Sequence, residues 1–138
     1  MELMFMACAQ SSSVDGPTGR LSLFHLLEQI QVTTFPTPLS LTLVGMFAKG
    51  SGDPDDQSVR LKIDLEGTSL LDSAVAFSFK GRPRTRVVTA MNNLGITGPG
   101  ILSFSFHSSS GERMGSAWTV IVEKVQAPAQ APAPAPAS

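Results

Sequence analysis

The amino-acid sequence predicts an all-β domain: an antiparallel β-sandwich of about eight strands, immunoglobulin-like or jelly-roll-like, followed by a disordered Ala-Pro tail. Three observations carry this. Apolar and polar residues alternate with period two through most of the chain. Turn-forming residues separate the alternating runs. No long segment has a sustained helical spacing. The 138 residues suit one domain, placed at 1–125, with the tail at 126–138. A body of that size buries roughly two-thirds of its unfolded surface and needs no metal or disulfide to fold.

The clearest strand is Val59–Leu65, where Val59, Leu61, Ile63 and Leu65 take one side and Arg60, Lys62 and Asp64 the other. That is the pattern of a sheet with one buried and one wet face. Glu66-Gly67-Thr68 supplies a turn, and Val75, Phe77 and Phe79 then alternate with Ala74, Ala76 and Ser78. The two runs read as antiparallel neighbours. Upstream, Met1–Cys8 reads as the first strand, and Leu39, Leu41 and Leu43 alternate with Ser40 and Thr42 after Pro36 and Pro38. Downstream, Thr85–Met91 is a strand, and Gly98-Pro99-Gly100 turns the chain into Leu102, Phe104 and Phe106. The last strand runs from about Met114 to Val125, with Trp118 expected in the core beside Val120 and Val122. Leu21–Ile30 is ambiguous: Leu23, Leu26, Leu27 and Ile30 have helical spacing. A strand followed by one helical turn over His25–Gln31 is expected there.

Composition limits the function classes. Ten basic and eleven acidic residues give a formal charge of -1, so no long-range field favours nucleic acid or an anionic membrane. One cysteine, Cys8, excludes an internal disulfide, and a lone Cys in an apolar run reads as a buried, inert thiol in a reducing compartment. Ala7-Cys8 superficially resembles a lipoprotein cleavage site. The acidic Glu2 and the lack of Lys or Arg before Arg20 argue against a signal peptide, so the cytoplasm is the expected location. One Trp and no Tyr leave too few flat aromatics for a sugar-binding face.

The chemistry-bearing residues are few. His25 and His107 are the only histidines, and neither sits in a nucleophile, metal or phosphate-loop motif. No catalytic residue and no cofactor are therefore expected. Asp53, Asp55 and Asp56 form an acidic loop that reads as a solvated connection; as a calcium site its three carboxylates fall short of the usual six to eight oxygen ligands. Lys80-Gly81-Arg82-Pro83-Arg84-Thr85-Arg86 holds four of the ten basic residues. Its Gly-Arg-Pro core resembles an AT-hook, whose arginines follow a narrow minor groove. A single copy between two strands of a near-neutral chain reads instead as a basic loop of solvated arginines joining them, with a site for phosphate or an acidic protein surface as the alternative.

Taken in order, the first strand ending at Cys8, Gly19–Phe24, Thr34-Phe35-Pro36, Leu39–Phe47, the Asp64–Gly67 turn, Gly98-Pro99-Gly100 and Trp118–Val122 resemble an uncharacterised bacterial family of small β-sandwich proteins. The resemblance covers residues 1 to about 125, departs at Ala9 where members often carry an acid, and implies no activity. The expected function is a non-enzymatic protein-binding or structural module, whose partner is another protein or a second copy. The alternative is a module regulated by calcium or an anion at the acidic or basic loop. No specific nucleic acid, membrane or carbohydrate partner is expected. The tail has only alanine and proline as apolar side chains, so nothing in it can anchor a core. Removing 126–138 is expected to leave the melting temperature unchanged in a calorimetric scan, and a loss of several degrees would overturn the spacer reading.

Overall fold

The computed structural model describes residues 1–126, and the tail beyond Gln126 lies outside them. The described chain is all-β, with no helix. Nine strands run in order: β1 (Glu2–Val14), β2 (Leu21–Leu26), β3 (Gln29–Val32), β4 (Thr37–Ala48), β5 (Asp56–Leu65), β6 (Thr68–Ser78), β7 (Arg84–Ile96), β8 (Gly100–His107) and β9 (Arg113–Lys124). They form a four-stranded sheet, β2-β1-β4-β7, and a five-stranded sheet, β3-β9-β8-β5-β6. Every pairing is antiparallel except β3 with β9.

The alternating runs fold as their periodicity requires. Val59, Leu61, Ile63 and Leu65 are all buried, as are Leu102, Phe104 and Phe106 on the neighbouring strand. Leu41, Leu43 and Phe47 of β4 meet them from the other sheet, with Met6 and Cys8 of β1, in one core. The Phe47 ring meets Phe106 edge-on, with centroids 5.3 Å apart. Between Leu43 and Phe47, Gly45 leaves the space that the Phe106 ring fills. A β-carbon at Gly45 would lie 2.8 Å from Phe106 Cε2, inside van der Waals contact. The outward face of the five-stranded sheet carries the Arg60–Asp72 ion pair at 2.8 Å, with Ile101 and Ile121 paired and exposed on β8 and β9.

Two local differences from the expected pattern have physical causes. The helical turn over His25–Gln31 is absent. His25, inside β2, adopts a left-handed backbone (φ 57°), and Leu27-Glu28 then lead into a short β3. There the Leu27 carbonyl accepts the indole N–H of Trp118 at 2.8 Å. Trp118 packs against the core without being enclosed by it, because the starts of β1 and β9 stand apart and leave a cleft at that point. His25 itself is exposed.

The β1–β2 hairpin is bent. Arg86 of β7 stands opposite Met46, and Met46 opposite Phe5, near the beginning of β1. Gly19 lies beyond the far end of β1. A flat hairpin would separate these levels by roughly 30 Å at about 3.3 Å per residue. Yet an Arg86 guanidinium N–H donates to the Gly19 carbonyl at 2.6 Å. The hairpin must therefore arch back over the outer face of the four-stranded sheet. This accounts for Ala7, Ala9 and Val44, which point away from the central core and are nevertheless fully buried.

Gly45→Ala is expected to destabilise the protein by about 1–3 kcal/mol, since the added methyl overpacks a rigid ring. Denaturant unfolding measures it. An unchanged midpoint would show that Phe106 can move aside.

Candidate functional site

The site forms where the chain crosses from one sheet to the other. β6 and β7 are the terminal strands of their sheets, and residues 79–83 carry the chain between them. Phe79 is buried, 1% exposed, and fixes the start of the crossing. Lys80 (φ 53°) and Gly81 (φ 74°) are both left-handed, and the Arg82 N–H donates to the Phe79 carbonyl at 3.0 Å. Two consecutive positive φ values closed by that bond define a type I′ turn. The turn projects Lys80 and Arg82 outward, and Pro83 then leads into Arg84, Thr85 and Arg86 at the start of β7.

The acidic loop between β4 and β5 braces this turn. Asp55 accepts the Gly81 N–H at 2.8 Å, its own carbonyl accepts the Phe79 N–H at 3.0 Å, and its other carboxylate oxygen pairs with Lys49. The Lys49 N–H donates to the Pro83 carbonyl at 2.8 Å. Asp53 accepts the Gly50 N–H at 2.7 Å and pairs with the chain's N-terminal ammonium. Asp56 is exposed at the start of β5. The two loops singled out as separate sites are thus one unit, with Asp53 and Asp55 already engaged by cations and amides. Among the described residues no group of three or more His, Cys, Asp or Glu side chains is arranged to hold a metal.

Around the turn opens a cleft of about 950 Å³. Lys80, Arg82, Arg84 and Arg86 line it, with Met46 and Phe77 as apolar floor and Thr18 and Gly19 of the arched hairpin on the far wall. Phe77 is held by its stack on Phe47, centroids 4.9 Å apart. No carboxylate lines the cleft, and among the described residues none of the four cations belongs to an ion pair. Four like charges converge on one concavity. The local potential is positive although the whole chain is near neutral, and low-dielectric walls concentrate such a field.

The remaining candidates are elsewhere. The hydroxyl of Ser105 and Nε2 of His107 are 2.9 Å apart, and His107 Nδ1 lies 3.3 Å from the Gly111 carbonyl. This pair stands on the outer face of the five-stranded sheet and lines neither cleft. Cys8 is fully buried, and burial pushes its thiol pKa up to about 12, so no thiolate is present at neutral pH. The second cleft, about 480 Å³ between the starts of β1 and β9, is lined by Leu3, Met4, Phe5, Met6 and Trp118 with no titratable side chain.

Of the residues named from sequence, the structure brings Lys80, Arg82, Arg84 and Arg86 together, sets Asp55 against their turn, and ties Asp53 to Gly50 and the N-terminus. Phe77 and Met46 were not marked as site residues, since in sequence both read as ordinary strand positions. No family model matches the chain, and no curated protein matches it.

The N-terminal ammonium holds the Asp53 carboxyl below its ordinary value of 3.8, and Lys49 does the same for Asp55. A depressed folded-state pKa contributes stability that is fully present above the unfolded value and is lost as the pH falls through the folded one. The crossing is therefore expected to loosen under acid, below about pH 4. Asp55→Asn should speed amide exchange at Phe79 and Gly81 at neutral pH. It should also flatten the acid limb of the stability curve. Equal acid sensitivity in wild type and variant would remove Asp55 as the brace.

Proposed function

We propose that the domain is a non-enzymatic protein-binding module whose basic cleft takes an acidic segment of a partner protein. The observation that carries this is the set of four cations around an open cleft with no carboxylate among its lining residues. Held together without counter-charges, they repel one another, and an anionic ligand relieves that repulsion. The Met46 and Phe77 floor adds apolar contact, which an inorganic anion cannot use and a peptide side chain can. Duplex nucleic acid is a poorer fit. Four cations release counterions from only about four phosphates, and the remaining surface has no basic excess.

We also infer that the scaffold is immunoglobulin-like rather than jelly-roll-like. The sheet partition supports this: β4 and β7 stand where strands B and E do, and β9, β8, β5 and β6 where G, F, C and C′ do. In such a sandwich the loops and free edges are the natural contact surfaces, and the cleft combines one of each.

Fluorescence anisotropy with labelled acidic peptides and the full-length chain tests the function. An acidic peptide with interspersed apolar residues should bind at near-physiological salt, and a lysine-substituted control should not. Arg82→Ala combined with Arg84→Ala should weaken binding roughly tenfold, because each exposed ion pair contributes up to about 1 kcal/mol. Duplex DNA binding more tightly than the peptide at that salt would transfer the cleft to nucleic acid.

A further inference from the structure

We propose that the acidic segment enters the cleft in extended form, as an added strand on the free edge of β7. This rests on the reading of the cleft as a site for an acidic protein segment, and it specifies how that segment is held.

The edge is open and regular. β7 is hydrogen-bonded to β4 on one side only and ends its sheet. From Arg84 opposite Ala48 to Met91 opposite Leu41, the register runs without interruption. Eight consecutive residues give an unpaired lane of roughly 26 Å. Terminal strands are usually protected by proline, inward charge or a bulge. From Thr85 to Met91, β7 has no proline, and Arg86 is its only charged residue. Its irregularity comes later, at Asn93 (φ 63°), beyond the regular stretch. Thr85, Val87, Val88 and Thr89 are β-branched and favour pairing.

The charges supply the occupant's chemistry. Arg84 and Arg86 stand opposite Ala48 and Met46 and share the outer face. They are two residues apart, so a strand paired with β7 would place alternate side chains beside both. Acidic residues at positions i and i+2 meet these two arginines, and opposite charges directly across a strand pair are favourable. The intervening positions turn inward toward Phe77 and the free edge of β6, where apolar side chains are suited. Lys80 and Arg82 extend the positive field past the end of the lane. The preferred ligand is therefore an extended segment with alternating acidic and apolar residues, bound by main-chain hydrogen bonds with specificity from alternate side chains. A second copy of this chain paired through β7 would leave the four cations without counter-charges.

Three peptides of about eight residues decide the matter by anisotropy with the full-length chain. One alternates Asp with Val. The second has the same composition with the acids in one block. The third is the alternating peptide with N-methyl groups on every second backbone nitrogen, placed to block ladder bonds. The alternating peptide should bind best, and N-methylation should weaken it roughly tenfold or more, the loss of two or three backbone hydrogen bonds. Amide exchange should slow along Arg84–Met91 and not along β2. If all three peptides bind alike and Arg84→Ala still weakens them, the cleft recognises acid but strand addition is wrong. If no acidic peptide binds, the reading of the cleft itself fails. Light scattering that shows a dimer of the unliganded chain, dissociated by Val88→Lys, would assign the edge to a second copy and overturn the proposal.

Discussion

Everything at the proposed site depends on how Asp55 holds the crossing between the two sheets. A chain passing from a terminal strand of one sheet to a terminal strand of the other has no ladder to hold it in transit. Its backbone groups need partners from elsewhere. Asp55 provides them with two functional groups: its carbonyl takes the Phe79 N–H and its carboxylate takes the Gly81 N–H. Lys49 closes the arrangement by pairing with that carboxylate and donating its own N–H to the Pro83 carbonyl. With the backbone fixed, four long cationic side chains point outward from a firm base. The neighbouring carboxylates of Asp53 and Asp55 are paired with the N-terminus and Lys49 instead. That division of labour keeps the cleft positive in a protein of net charge -1.

The strands were legible because burial on one face imposes period two. Val59–Leu65 and Leu102–Phe106 are buried at the alternate positions that the sequence pattern marks. What alternation does not encode is pairing at a distance. β3 is four residues long and pairs in parallel with β9, a partner about ninety residues away. Its Ile30 and Val32 carry too little pattern to separate it from the helical spacing around Leu26 and Leu27. The arch of the β1–β2 hairpin was hidden for a related reason. Ala7 and Ala9 look like neutral spacers in an alternating strand, and only the Arg86–Gly19 bond shows that they lie beneath another part of the chain.

The site was half legible. A run of four cations within seven residues is visible by inspection, and so is a cluster of three aspartates. Their relation is not. The two loops are more than twenty residues apart, and a cluster of carboxylates read by itself suggests a cation site. In the folded protein the cations it meets are Lys49 and the N-terminus, and the amides it meets are those of Gly50 and Gly81. Phe77 was legible only as a core residue, because its alternation with Phe79 is that of any half-buried strand. Its position at the open side of the sandwich comes from β6 being terminal.

The proposed function asks a weakly charged chain to have a selective surface. At physiological ionic strength exposed charges act over only about 8 Å, so net charge says little about a ligand already inside a cleft. What matters is the local set, here four cations and no acid among the lining residues. A cluster of that size is modest, since exposed ion pairs contribute at most about 1 kcal/mol each. Charge therefore cannot supply both affinity and selectivity. In the proposed complex, the free edge of β7 would supply a second, sequence-independent source through main-chain hydrogen bonds. The arginines at its start would then set polarity and register for the strand proposed to pair with it. Without the edge the cleft would discriminate poorly among anions, and without the arginines the edge would accept any exposed strand, including another copy of itself.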